Sequence, residues 1–293
     1  MRALVTGASG FAGRHLVAAC EAAGDDVVTA SRATGVDLLD AAAVRAAVAG
    51  AAPDVVYHLA ALAHVGESWK QPAAYLSGNV AMALNLLEAV RREAPGATVV
   101  AVASGEVYGP PTRLPVDESA PLRPQNPYAV SKASADLLAG FYADAHGLRV
   151  VRARPFNHAG PGQSPAYAIA SFARQAALGA ERIVIGNPGT RRDYTDVRDV
   201  VRAYRLLAER GEPGLFNVCS GRTASAAELV SMLGREYDVD QDLVRGHEVM
   251  EVRGDPTALH AVTGWEAEIP LERTLADTVG WWRDQATRQE LSR

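Results

Sequence analysis
The strongest constraint on how this chain folds lies near its start. The apolar run Ala3-Leu4-Val5-Thr6 leads straight into Gly7-Ala8-Ser9-Gly10-Phe11-Ala12-Gly13, and a helical period follows over 11–23. Glycines at this spacing permit a tight turn, let a pyrophosphate approach the backbone and bring helix against strand. The helix N-terminus adds free N–H groups and partial positive charge. A strand, a glycine-rich turn and a helix in this order predict a dinucleotide-binding βαβ unit, against the plainer alternative of a turn with no ligand.

The rest of the chain continues the pattern. Further strands are predicted at Val27-Ala30, Val55-Leu59, Thr98-Ala103, Val150-Arg154 and Phe216-Cys219, with helices near 40–50, 72–92, 128–145, 165–178, 197–209, 225–236 and 272–286. Strands alternating with helices indicate an α/β fold, a Rossmann-type doubly wound parallel sheet. After Arg154 the connections lengthen, through Asn157-His158-Ala159-Gly160-Pro161-Gly162-Gln163 and Gly186-Asn187-Pro188-Gly189. That shift predicts a cofactor domain over 1–155, with 190–220 returning to it, and a smaller substrate-binding subdomain from 156–189 and 221–293.

Composition narrows the partners. Of 293 residues, 48% are hydrophobic and 22% charged, as expected of a folded globular chain. A formal charge of -5 and no Lys/Arg-rich run argue against nucleic acid. No apolar run reaches membrane-spanning length, and the opening Met1-Arg2-Ala3-Leu4-Val5 reads as a strand rather than a signal peptide, so a cytoplasmic protein with no membrane partner is expected. Cys20 and Cys219 have no Cys-x-x-Cys spacing and are expected to be core thiols. Seven histidines include no His-Glu-x-x-His, so no metal is implied.

Two places carry candidate chemistry. After the second strand, Arg32 stands where an NAD-preferring protein would offer a carboxylate to the ribose. An arginine there suits the 2′-phosphate of NADP(H), with NAD(H) still possible and a plain surface arginine as the alternative. Asp37-Leu38 either meets the adenine edge or caps the helix over 40–50. Farther on, Tyr128-Ala129-Val130-Ser131-Lys132 opens a helix, and the i, i+4 spacing stacks Tyr128 and Lys132 on one face. An ammonium nearby is expected to depress the phenol from its usual pKa near 10 and make Tyr128 a proton donor and acceptor. A surface pair is the usual reading of such spacing alone; behind a nucleotide turn, with Ser104 after another strand, chemistry is the stronger one.

These residues together resemble the short-chain dehydrogenase/reductase superfamily, in its extended epimerase/dehydratase branch acting on nucleotide sugars. The resemblance covers nearly the whole chain. It runs through Thr6 to Gly13, His58-Leu59-Ala60-Ala61, Ser104-Gly105-Glu106-Val107-Tyr108-Gly109, Asn126-Pro127-Tyr128-Ala129-Val130-Ser131-Lys132, Arg154-Pro155-Phe156-Asn157-His158-Ala159-Gly160-Pro161-Gly162, and Arg192-Asp193-Tyr194-Thr195-Asp196-Val197-Arg198-Asp199. Within the branch the chain looks most like the GDP-mannose 4,6-dehydratases and the GDP-4-keto-6-deoxymannose reductases. Its short length, the stretch from Arg191 to Tyr204, Gly254-Asp255-Pro256 and Thr263-Gly264-Trp265 are similar to the reductases.

The resemblance implies a Ser104, Tyr128, Lys132 triad, with Glu106 beside it and Asn79 in support. It implies that Gly7, Gly10, Phe11, Ala12 and Gly13 hold the cofactor phosphates, that Leu59, Ala60 and Ala61 pass beneath the nicotinamide ribose, and that Pro155 lies near the carboxamide. Asn157 and Arg192 would bind the sugar nucleotide. Ser171, Arg174 and Arg253 are further candidates for the nucleotide and its phosphates, and His64 and Glu67 for the hexose. Helices near 72–92 and 128–145 resemble the pair through which such proteins form homodimers, although each helix could simply cover its own sheet.

The reactions of the branch share hydride transfer at sugar C4. A 4,6-dehydratase also needs an acid and a base for C5 and C6. In dTDP-glucose dehydratases an Asp-Glu pair follows the catalytic residue, whereas this chain has Gly105-Glu106. A ketoreductase needs only the triad. The sequence therefore predicts NADPH-dependent reduction of a GDP- or dTDP-linked 4-keto-6-deoxyhexose. A 4,6-dehydratase, a C4 epimerase, a reductase of a non-sugar ketone and a non-catalytic NADP-binding module stand as alternatives.

Overall fold
The computed structural model describes residues 1–244 and 249–291, with side chains described to 288. The first half runs β1 (Arg2–Thr6), α1 (Phe11–Ala22), β2 (Asp26–Ala30), α2 (Ala41–Ala51), β3 (Val55–His58), α3 (Val65–Lys70), α4 (Pro72–Glu93), β4 (Thr98–Val102), α5 (Pro127–His146) and β5 (Arg149–Pro155). The second runs β6 (Asn157–Ala159), α6 (Ala168–Ala177), β7 (Arg182–Ile185), β8 (Arg191–Asp196), α7 (Val197–Arg210), β9 (Gly214–Val218), β10 (Thr223–Ser225), α8 (Ala226–Met232), β11 (Glu236–Val239), β12 (Glu251–Val252), α9 (Thr257–Thr263) and α10 (Leu271–Leu291).

The main sheet has the order β2-β1-β3-β4-β5-β9, and every pairing in it is parallel. The alternation of side chains along β1 explains how helices cover both faces. Ala3 and Val5 join Leu16, Cys20, Val200, Val201 and Leu207 beneath α1 and α7. Leu4 faces the other way, with Val44, Val48, Leu86, Leu87 and Tyr142 beneath α2, α4 and α5. Both cysteines are free and buried, as expected. The chain leaves β1 toward β2 on one side and returns to β3 on the other. This is the strand-order reversal at which Rossmann-type sheets bind ligands.

Beyond β5 the architecture changes. Strands β10, β8 and β12 form a small sheet with β6 against β8, and β7 pairs β11 separately. A distinct apolar cluster, with Ile169, Phe172, Ile183, Ile185, Leu229 and Leu275, packs these strands with α6, α8 and α10. Strand β8 belongs to the small sheet, Val197 at the start of α7 is buried in the main core, and the main sheet resumes with β9. Trp265 is buried in the main core, where its indole N–H donates to the Asp199 carbonyl at 2.9 Å. Part of the 221–293 stretch therefore braces the cofactor half.

Local chemistry sets the ends of the helices. Asp40 caps α2 by accepting from Ala42 and Ala43, so the cap is Asp40 and not Asp37. Asn126 and Pro127 start α5, and Gly147 ends it at φ +67°. The helix expected over 225–236 stops at Met232, and Glu236 instead opens the strand that pairs with β7. No helix among the described residues is long and apolar enough to cross a membrane.

Candidate active site
The glycine turn has the shape its spacing implies. Gly7 sits at φ +73°, and a Cβ there would come within 2.7 Å of the Ala60 nitrogen. A Cβ on Gly13 would run into the Gly7 carbonyl group and lie 2.9 Å from the Ala8 Cα. Gly10 donates to the Gly7 carbonyl at 2.9 Å, and no side chain caps α1. The first N–H groups of α1, at Phe11 and Ala12, therefore face a cradle that suits a pyrophosphate. Leu59 and Ala60 lie against this turn, tied to Thr6 through its carbonyl at 3.3 Å and its hydroxyl at 3.4 Å. Ala61 follows them at the end of β3, and Pro155 is buried at the end of β5.

At the outer end of β2, Arg32 is 79% exposed in its side chain and pairs with Asp37 at 3.4 Å. Asp37 also accepts from the Leu39 amide at 3.0 Å. Leu38 is 6% exposed and packs in the core beneath α2.

Ser104, Tyr128 and Lys132 converge where β4 and β5 end. Asn126 fixes the entry of α5: its side-chain Oδ1 accepts from the Ala129 amide at 2.8 Å and its side-chain Nδ2 donates to Glu106 at 3.3 Å. Ser104 is 8% exposed, and its hydroxyl accepts from the Glu106 amide at 3.2 Å. Asn79 is buried and donates to Ser131 at 2.8 Å, while accepting from Leu62 at 2.8 Å. Ser131 in turn donates to the Tyr128 carbonyl at 2.7 Å. Asn79 thus ties the loop after β3 to the first turn of α5.

The electrostatics differ from the expectation in one respect. Tyr128 is pushed above its ordinary value, because burial outweighs the Ser104 hydrogen bond and Glu106 adds an unfavourable charge. Lys132 does not depress it; the ammonium donates to the Val102 carbonyl. Burial lowers Lys132 to about 8. The site therefore presents a protonated phenol at neutral pH and a lysine charged below about pH 8.

The remaining candidates divide. Asn157 is exposed on β6, and Arg192 on β8 donates to the Val249 carbonyl at 2.8 Å. His64 caps α3, accepting from Glu67 at 3.1 Å, with its ring 6.1 Å from that of Tyr167. Glu67 turns to Lys70 at 2.8 Å. Ser171 accepts from Gln175 at 3.4 Å, the Arg174 guanidinium lies over the Trp282 ring, and Arg253 lies 4.0 Å from Glu251. Sequence reasoning gave no role to His58, whose Nδ1 is 2.8 Å from the Thr6 hydroxyl, or to the buried Asp136. The signal for Asp136 was available, since it continues the i, i+4 stripe of Tyr128 and Lys132. No group of His, Cys, Asp and Glu among the described residues could hold a metal ion.

A dinucleotide cradle at the sheet's switch point, beside a serine, tyrosine and lysine on shared elements, defines a pyridine-nucleotide enzyme class. Residues 3–219 match the family model described as NAD dependent epimerase/dehydratase family, and the chain belongs to that family. It is 37% identical to the GDP-6-deoxy-D-mannose reductase of Pseudomonas aeruginosa, over 98% of this chain and 99% of that protein. The structure of RMD from Pseudomonas aeruginosa complexed with NADPH superposes with a TM-score of 0.89 at 36% identity, covering 97% of this chain and all of that one (100%). A dTDP-glucose 4,6-dehydratase of Streptomyces griseus is 33% identical over 95% of this chain and 93% of its own.

Proposed function
We propose that this protein reduces the C4 ketone of a nucleotide-linked 4-keto-6-deoxyhexose with NADPH. The single-acid active site carries the reading. Glu106 follows Ser104 without an Asp before it, it is bonded to Asn126, and a side chain at Gly105 would meet the Phe156 ring at 3.1 Å. An Asp in place of Gly105, as in the Asp-Glu pair of the dTDP-glucose dehydratases, would press on the Phe156 ring. The raised phenol of Tyr128 supports the same direction, because reduction needs a proton donor.

The residues present fit the cofactor: the cradle of Gly7, Gly10 and Gly13 would hold its pyrophosphate, Lys132 its nicotinamide ribose, and Arg32 the 2′-phosphate. Bound NADPH supplies the hydride. Ser104 hydrogen-bonds the ketone oxygen, and Tyr128 gives its proton to that oxygen as negative charge develops there. Lys132, charged, steadies the phenolate that remains. Asn157, Arg192, Ser171 and Arg253 are assigned to the nucleotide sugar; Arg174 reaches it only by leaving Trp282. We assign the cofactor to residues 1–155 with 197–220, and the sugar mainly to 156–189 and 221–293. The likeness to GDP-6-deoxy-D-mannose reductase puts GDP ahead of dTDP as the base.

Purified protein given a GDP- or dTDP-4-keto-6-deoxyhexose should oxidise NADPH with one of them. Loss of water from an intact nucleotide hexose without net NADPH use would overturn the reading in favour of a dehydratase. Arg32→Ala should raise the Kd for NADPH about tenfold, or about 1.4 kcal/mol, and leave that for NADH unchanged. Fluorescence titration with both cofactors checks this, and an equal loss for both would remove Arg32 from the 2′-phosphate.

We also propose a cytoplasmic homodimer; buried free thiols are consistent with a reducing compartment. Leu76 and Leu84 on α4, with Val130, Leu137 and Phe141 on α5, leave an apolar face exposed, Leu137 at 58% and Phe141 at 55%. A second copy pairing the same helices would cover it. The double variant Leu137→Glu, Phe141→Glu should sediment as a monomer where the parent is a dimer; a monomeric parent would refute the pairing.

A further inference from the structure
Behind the catalytic lysine, between the sheet and helices α4 and α5, lies a cavity of about 20 Å³. Lys132, Asp136, Asn79 and His58 supply its polar lining, and Ala83 and Leu86 are among its apolar walls. A volume of this size holds one water. Asp136 stands one helical turn beyond Lys132, with a side chain that is 0% exposed. Its Oδ2 accepts from Arg154 at 2.5 Å and lies 3.7 Å from Arg152, while its Oδ1 has no hydrogen-bond partner. Lys132 spends an N–H on the Val102 carbonyl, and an ammonium carries three. The cavity is therefore lined both by the residue with the orphaned buried acceptor and by the residue whose ammonium has donors to spare. A buried carboxylate oxygen left unsatisfied is costly, and a water with partners on both sides removes that cost.

We infer that Asp136 is a positioning residue for Lys132, holding its ammonium charged and in place through one water buried in this cavity. The inference rests on Lys132 being the ribose-holding lysine proposed above. Other groups around Lys132 do not supply the negative charge. Tyr128 is a protonated phenol on the same helix, and His58 on β3 is held neutral, its pKa pushed down to about 3 by burial and by Lys132. Arg152 and Arg154 on β5 are cations on the far oxygen of Asp136, and Asn79 on α4 is uncharged. Glu106, beyond β4, is exposed and bonded to Asn126. Asp136 also raises the Lys132 pKa against the effect of burial.

The sequence makes the test direct, because Lys70 and Lys132 are its two lysines. NMR of protein labelled with ¹⁵N-lysine should give two side-chain signals, with Lys132 titrating near pH 8. Asp136→Asn should lower that midpoint by about one unit or more and leave Lys70, exposed and paired with Glu67, where it was. A purely structural Asp136 would leave the Lys132 midpoint in place, and that result overturns the inference. Since Asp136→Asn strips Arg154 of its partner and could prevent folding, a high-resolution crystal structure of the parent gives a second readout. A water within hydrogen-bonding reach of both Lys132 Nζ and Asp136 Oδ1 supports the inference, and a dry cavity refutes it. Neither readout needs turnover, so failure of the ketoreductase assay would leave both interpretable.

Discussion

Replacing Tyr128 with phenylalanine is expected to lower kcat about 100- to 10,000-fold, the range general acid catalysis contributes. NADPH affinity should stay within about twofold, since the proposed contacts of the cofactor are the glycine turn for its phosphates and Lys132 for its ribose. The variant removes one hydroxyl and keeps the ring, and Ser104 retains the Glu106 amide as a partner at 3.2 Å. Because burial holds the phenol protonated, the parent should not lose activity through Tyr128 anywhere near neutral pH. The alkaline fall belongs to Lys132, charged below about pH 8 and neutral above it. Steady-state kinetics beside fluorescence titration of NADPH check both halves. A variant that keeps more than a tenth of the parent's turnover would remove Tyr128 as the proton donor.

Gly13→Ala should weaken NADPH binding about 10- to 100-fold, the consequence of about 1–3 kcal/mol of overpacking. The new methyl would lie 2.8 Å from the Gly7 carbonyl carbon and 2.9 Å from the Ala8 Cα, and both are backbone atoms that no side-chain rotation can clear. Relief requires α1 to move away from β1, carrying the Phe11 and Ala12 amides off the pyrophosphate. Gly50→Ala is the control, since a Cβ there has open space and a helix interior favours alanine. Equal NADPH affinity in the two variants would mean that the cradle does not hold the phosphates.

How much of this was legible beforehand follows from which interactions are local. The six main strands and the long helices announced themselves through period, because each buries a full face of the sheet. Strands β6, β10 and β12 are three residues or fewer, too short for alternation to register, and they form because β8 brings them together. Helix α3 is six residues with Gly66 inside it, held by the His64 cap rather than by an apolar stripe. Ser104, Tyr128 and Lys132 could be singled out as candidates because motif and spacing are local. The charge state of Tyr128 could not, since it depends on burial and on where the Lys132 ammonium points. Leu38 shows the same limit: only the folded core reveals that its side chain faces inward. The room at Gly105 depends on Phe156, fifty-one residues away along the chain.

The central claim is net hydride delivery to the sugar, and isotope transfer tests it most directly. Protein incubated with NADPH deuterated at nicotinamide C4, in each of the two stereospecific forms, and with the accepted 4-keto-6-deoxyhexose nucleotide should place one deuterium at sugar C4 from one of the two forms. NADPH oxidised and alcohol formed should match one to one. A product without deuterium at C4 from either form, or sugar converted with no net oxidation of NADPH, would contradict the account and point to an epimerase or dehydratase built on the same triad.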